Sequence, residues 1–345
     1  MPETQIISMD NLSEYASGHG MLDNEFATEL PDVELREVSV PVGGHGERLD
    51  KVLASMVPEF SRSYLQQLIA SNAVMHNGSV QVKASARLKA GDALTIELRP
   101  TAQSQAFKPE TMALNIIYED EWLLVINKPA GLVVHPAPGN WSGTLLNGLL
   151  ARDIHACQLP RAGIVHRLDK DTSGLMVVAR TRQTMDRLVH LIAERSVSRQ
   201  YIALAHKAWQ GAKMRQVEFA IGRDPRNRLR MAVVDLDRNA GKSATTELSL
   251  LQNGLNHCLV HCKLHTGRTH QIRVHMAAIG HCLVGDEVYG GVPAGGLTRQ
   301  ALHACRLAFA HPTTGAKLVF NCELPQDLSA AIEQVGLSYN EIQRN

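Results

Sequence analysis

The chain has 345 residues, enough for two folded units or for one large catalytic domain with a small accessory module. Hydrophobic residues make up 44% of it, and no apolar run approaches the roughly 20 residues that span a bilayer, which excludes a membrane-spanning helix. A net charge of +1 hides an asymmetry: residues 1–38 hold nine acids against Arg36, leaving 34 basic and 25 acidic residues elsewhere, a balance that suits a polyanionic partner without requiring one.

The N-terminus, MPETQIISMD, lacks the basic start and apolar stretch of a secretory signal, and no lipidation or retention motif closes the chain, so a cytoplasmic location is expected. The acidic leader, residues 1–38, has little periodicity and is expected to be largely disordered. From Glu47, RLDKVLASMV repeats apolar residues at helical spacing, Pro58 interrupts, and Ser61 is placed to cap a second helix, RSYLQQLIAS. Asn77-Gly78 then signals a hairpin, and GDALTIEL alternates as a strand. These elements define a module over residues 47–99, followed by a polar, proline-containing linker at 100–110.

Residues 111–330 read as a second domain, with 331–345 as a tail. LNIIYED, WLLVINK, LMVVAR, YIALAH and HCLVHCKL look like strands, interrupted by the helix TRQTMDRLVHLIAERS and followed by ALHACRLAFAHP, AKLVFNCEL and a short helix. Many strands with few helices predict an α+β domain with a mixed, largely antiparallel sheet. The glycine cluster Gly43-Gly44-His45-Gly46 does not sit between a strand and a helix as a phosphate cradle does.

Cys157, Cys258, Cys262, Cys282, Cys305 and Cys322 form no CxxC pair. His257-Cys258 and His261-Cys262 would share one face of a helix, but CLVHCKLH alternates like a strand, so these read as structural thiols in a reducing compartment. No carboxylate completes a ligand set around His270 and His275, and no metal is expected.

PRAGIVHRLDKDTSGLMVVA, residues 160–179, crowds polar groups between an apolar strand ending at Val165 and another beginning at Leu175. Loops held this way by a rigid sheet often carry chemistry. On local grounds, Asp169 is either a catalytic carboxylate or an ion-pair partner in a turn formed by Asp171, Thr172 and Gly174.

HRLDKDTSGL resembles the central motif of pseudouridine synthases of the RluA and RluD type. The likeness continues in INKPAGLVVHP, SRQYIALAH, LHTGRTHQIRVHMAAIGHCLVGDEVYGG and QALHACRLAFAHPTTG, in the family's order. The N-terminal module resembles the S-four RNA-binding domain through Arg48-Leu49-Asp50, Ser61-Arg62-Ser63 and the following hairpin. Among family members, those acting on large-subunit ribosomal RNA are most similar.

The resemblance implies isomerisation of specific uridines with no redox cofactor. Asp169 would be the essential carboxylate, kept ionised by Arg273. Tyr201 would stack on the flipped uracil and help remove its carbon-5 proton. Arg167 would enter or contact the RNA stack, and Arg62, Ser63 and Gln67 would touch phosphate or sugar. Arg223, Arg226 and Arg228, in the basic run from Lys213 to Arg230, are candidate phosphate contacts or a solvated face. A monomer acting on ribosomal RNA is expected. The alternatives are a transfer-RNA-directed enzyme of the family and a non-catalytic ribosome-assembly factor.

Overall fold

The computed structural model describes residues 34–340 except 59, 61, 99–103, 138 and 228–229, and divides at Gln105/Ala106 into two units. The first contains β1 (Glu34–Ser39), α1 (Leu49–Met56), α2 (Arg62–Ala70), β2 (Val74–His76), β3 (Ser79–Val80) and β4 (Ala93–Leu98). Its antiparallel sheet has the order β1-β4-β2-β3. Asn77 and Gly78, with φ of 49° and 75°, make the turn between β2 and β3, where a two-residue hairpin loop needs positive φ at both positions. Leu49, Val52, Leu53, Leu65, Ile69, Leu94 and Ile96 pack into the core between helices and sheet.

Asp50, in the first turn of α1, is fully buried and ties the helices together. It accepts from Arg48 Nε at 3.0 Å, Arg62 Nη2 at 2.8 Å and Gln66 Nε2 at 2.6 Å. The Arg48 hydrogen bond does most to hold this carboxyl far below the usual carboxylate range. The RLD signature and Arg62 therefore have a structural use: Arg62 commits Nε and Nη2 to Asp50, although half of its side chain stays exposed. Gln67 is exposed, and the side chain of Ser63 lies outside the described residues.

The second unit contains β5 (Ile116–Glu119), β6 (Leu123–Lys128), α3 (Leu145–Arg152), β7 (Ser173–Ala179), α4 (Arg182–Ala193), β8 (Ser198–His206), β9 (Met214–Val217), β10 (Ile221–Arg223), β11 (Met231–Val233), β12 (Gly241–Lys242), β13 (Thr246–Asn253), β14 (His257–Leu264), α5 (Gln271–Ala278), β15 (Leu302–Ala310), β16 (Lys317–Asn321) and α6 (Gln326–Gln334). The large sheet runs β5-β6-β7-β15-β8-β14-β13-β9, with β16 on β15. Among the described residues its one parallel pairing, β7 with β15, makes it mixed and largely antiparallel, as expected. Strands β10, β11 and β12 form a separate small sheet.

The period of two divides the central strands between two cores. Tyr201, Ala203 and Ala205 of β8 join Met176, Val178, Cys258, Val260 and Cys262 on one face, beneath α3, Leu168 and α5. Ile202 and Leu204 pack on the other face against Leu328, Ala331 and Ile332 of α6. Cys258 and Cys262 are thus buried in a strand, and burial pushes the Cys258 thiol up to about 12. No described helix is long and apolar enough to cross a membrane.

Four sequence expectations shift. Residues 34–38 of the supposedly loose leader pair with β4; the rest of the leader lies outside the described residues, as does most of the first half of the linker. The stretch before His166 is a tight turn, with Arg161, Ala162 and Gly163 at φ of 55°, 52° and 79°, and contributes a single bridge from Ile164 to Val178. A Cβ on Gly163 would lie 1.9 Å from the Ala179 carbonyl oxygen, so that approach requires glycine. Helix α3 lacks the usual sequence signal of a helix start, because Asn147 replaces the Glu or Gln partner of its capping box with Thr144. The tail's boundary at 330/331 falls inside α6, whose Ala331 and Ile332 are buried.

Replacing Asp50 with alanine leaves two half-exposed guanidiniums without their buried partner, and should lower the stability of the first unit by about 2 kcal/mol. Faster amide exchange across residues 49–70 of the full chain is the expected readout; unchanged exchange would contradict the cross-link.

Candidate active site

The loop between Gly163 and β7 is fixed by backbone contacts. Lys128, fully buried at the end of β6, donates from Nζ to the carbonyls of Pro129, Leu132 and Lys170 at 2.8, 2.9 and 2.9 Å. Burial pushes this amine down to about 8. Gly131 N–H also donates to Lys170, and Thr172 N–H closes a turn on the Asp169 carbonyl. On the far side, Arg299 Nη1 donates to the Asp171 carbonyl and Ser173 Oγ shares a hydrogen bond with His303 Nδ1. Gly174, at φ 116°, lets β7 meet Ala304, whose carbonyl oxygen would lie 2.3 Å from an added Cβ. The loop is therefore set by the sheet, and it presents Asp169 at one point.

Helix α5 supplies the cation. His270, its N-cap, adopts a left-handed conformation (φ 57°) that turns the chain from the 265–269 loop into the helix. Arg273 is 5% exposed and donates from Nη1 to Asp169 Oδ2 at 3.1 Å, across 104 positions of sequence. Its other edge is gripped by Asp286: Nε to Oδ2 and Nη2 to Oδ1, both 2.7 Å. The Tyr289 ring lies 5.0 Å from the guanidinium carbon, and its hydroxyl sits 2.8 Å from His270 Nδ1. Burial does most to depress His270 below its ordinary value; its Nε2 stands 3.8 Å from Asp169 Oδ1. That carboxylate oxygen makes no hydrogen bond among the described residues.

A cleft of about 720 Å³ opens over this group, lined by Arg167, Asp169, Tyr201, His270 and Arg273 among others. Tyr201 is 4% exposed, and burial pushes its phenol up to about 12, so it is protonated at neutral pH. Arg167 is exposed at the cleft edge. The structure thus brings together four of the residues singled out from sequence: Arg167, Asp169, Tyr201 and Arg273. Arg223 and Arg226 are exposed on or beside β10 and do not line the cleft; Arg228 lies outside the described residues. Arg230, from the same basic run, is paired with Asp224 at 2.7 Å.

The sequence alone gives Asp286, His270 and Tyr289 no role in the site. Asp286 and Tyr289 stand in the quoted GDEVYGG block, yet nothing in their spacing says that they surround Arg273. By sequence alone, His270 stands out only as a candidate metal ligand.

The RNA pseudouridylate synthase family model matches residues 122–278, and the S4 domain model matches 47–94. The chain belongs to the RNA pseudouridylate synthase family and is an isomerase of that class. Among curated proteins it is similar to ribosomal large subunit pseudouridine synthase D of Neisseria meningitidis serogroup A, 45% identical over 94% of this chain and 87% of the relative. The protein of the same name from Escherichia coli K12 is 41% identical over 86% of this chain and 93% of the relative. Among solved structures, human RNA pseudouridylate synthase domain containing 1 is similar at 28% identity and a TM-score of 0.51, covering 65% of this chain and 90% of that one.

His166, beside this site, accepts from Val177 N–H at 3.0 Å, and burial followed by the Arg199 charge pushes it down to about 3. An unfolded histidine titrates near 6.5. Below that pH the unfolded chain gains a proton that the folded chain refuses, so His166 stabilises the fold above pH 6.5, and this contribution is lost as pH falls towards 3. Thermal melts of His166→Gln between pH 7 and 4.5 should show a shallower decline in Tm than the unaltered protein; parallel curves would count against this role.

Proposed function

We propose that this chain converts specific uridines of large-subunit ribosomal RNA to pseudouridine, with Asp169 as the carboxylate that acts on the ribose–base unit. The observation that carries the reading is the asymmetric environment of Asp169: Oδ2 is held by Arg273, while Oδ1 faces the cleft side chains without a hydrogen bond among the described residues. The reaction breaks the bond from the ribose to nitrogen 1, turns the base while it stays bound, and joins carbon 5 to the ribose. An anchored carboxylate with one uncommitted oxygen suits trapping or stabilising the ribosyl fragment, or starting its elimination. The bond broken at nitrogen 1 is replaced by the bond formed at carbon 5, and the proton lost from carbon 5 is matched by one gained at nitrogen 1, so the isomerisation needs no external oxidant or reductant.

A uridine within folded RNA has to leave its stack to enter such a cleft, at a cost of a few kcal/mol. Tyr201 offers a buried ring for the flipped uracil to stack on and a hydroxyl near its carbon 5; with a phenol at about 12, it does so as the neutral acid form. Arg167, exposed at the edge, is placed to occupy or contact the vacated stack. Arg62, Ser63 and Gln67 on α2, with Arg223, Arg226 and Arg228, would supply phosphate and sugar contacts. The names of the relatives favour large-subunit RNA over transfer RNA, and with it a cytoplasmic location. A purely RNA-binding role would not require a half-buried Asp169 held by the buried Arg273–Asp286 pair.

Mapping pseudouridines across total RNA from a strain lacking this chain tests activity and target together: sites should vanish from large-subunit RNA and return with the unaltered gene. Loss confined to transfer RNA would move the substrate, and no loss would defeat the proposal. Asp169→Asn should reduce turnover by about 10³-fold or more while leaving RNA affinity nearly intact. Asp286→Asn should keep KM within about twofold and lower kcat by about 10–100-fold, because Arg273 loses its second anchor. A wild-type kcat in Asp286→Asn would show that Arg273 does not need it.

A further inference from the structure

Resting on the reading of the cleft as a uridine-isomerising site, we propose that Arg199 binds a backbone phosphate adjoining the flipped uridine. Arg199 precedes Tyr201 by two residues on β8, so both side chains leave the same face of the strand, and both line the cleft. Arg199 is 7% exposed, yet its side chain makes no hydrogen bond or ion pair among the described residues, and its buried Nε has no acceptor. Every other strongly buried cation of the site is compensated: Arg273 by two aspartates, Lys128 by three carbonyls.

The place for this guanidinium is built. A Cβ on Gly267, in the loop that leads to α5, would lie 2.6 Å from Arg199 Nη1 and 3.5 Å from the guanidinium carbon. Glycine at 267 leaves that room, and a Cβ there would make the guanidinium shift. His166 and Tyr201, both of which feel the Arg199 charge, are held neutral by burial and offer it no counter-charge. Six arginines line the cleft (161, 167, 195, 199, 268 and 273) against the single carboxylate of Asp169.

A buried, unpaired cation is costly to keep and is satisfied by an anion with acceptors in a plane. Uracil and ribose are neutral, so the phosphodiester is the part of an RNA substrate that can meet it, and a guanidinium fork matches two phosphate oxygens. The geometry thus separates two tasks on β8: Tyr201 receives the base, and Arg199 receives the backbone that carries it.

The test uses the full chain and a synthetic large-subunit RNA fragment that it binds, with each phosphate flanking the candidate uridine replaced singly by an uncharged methylphosphonate. Binding is read by filter retention and conversion separately by nucleoside analysis. One of the two replacements should weaken binding to the unaltered chain about tenfold. Arg199→Gln should bind all-phosphate RNA about tenfold more weakly, be indifferent to that replacement, and show a salt slope of log Kd smaller by about 0.7–0.9. If Arg199→Gln does not fold, Gly267→Ala displaces the guanidinium without removing its charge and should lose most of the methylphosphonate response. An unaltered chain insensitive to both replacements, or a variant as sensitive as the unaltered chain, overturns the proposal. A chain that shows this coupling in binding but makes no pseudouridine would refute the isomerase reading and leave the phosphate contact standing.

Discussion

The second unit is organised around the burial of Arg273. A guanidinium at 5% exposure cannot be left without partners, because desolvating a lone charge outweighs the packing gained around it. Asp286 takes two of its donors in a bidentate pair, which fixes the plane of the guanidinium and leaves Nη1 aimed at Asp169. The position of α5, the left-handed turn at His270 and the placement of Tyr289 beside the guanidinium all follow from bringing those three groups together. One carboxylate anchors the cation, and the other is anchored by it.

That arrangement only has value if the loop bearing Asp169 does not move. Its rigidity comes from the main chain more than from the side chains that carry chemistry. Lys128 gathers three carbonyls from two loops, and glycines at 163 and 174 allow backbones to approach where any Cβ would collide. A site built on sheet-supported loops is held to the tolerance that bond-breaking at a ribose demands. The cleft that results is strongly basic, which suits a substrate whose reacting part is neutral but whose backbone is charged at every step.

Much of the architecture was legible in the sequence because short-range physics decides it. Alternation in HCLVHCKL sets Cys258, Val260 and Cys262 on one face of a strand, and Asn77-Gly78 could supply two positive φ values where few other pairs do. Local pattern misleads where a long-range contact overrides it. Glu34–Val38 looked like part of an acidic leader, yet β4 provides the hydrogen-bond partners that make it a strand. Gly-Ile-Val before His166 looked like a strand end, whereas the close approach of Gly163 to Ala179 forces a turn.

The candidate site divides the same way. The sequence by itself determined which residue types are present and, through motif resemblance, that Asp169, Tyr201, Arg273 and Arg167 belong together, because a shared chemistry preserves a shared pattern of residues. Only the tertiary structure decided what surrounds them. Arg62 turns inward to Asp50, Asp286 grips Arg273, and Arg199 is buried without a counter-charge. Ion pairing and desolvation depend on distances between groups tens to hundreds of positions apart, and those distances exist only once the sheet has formed.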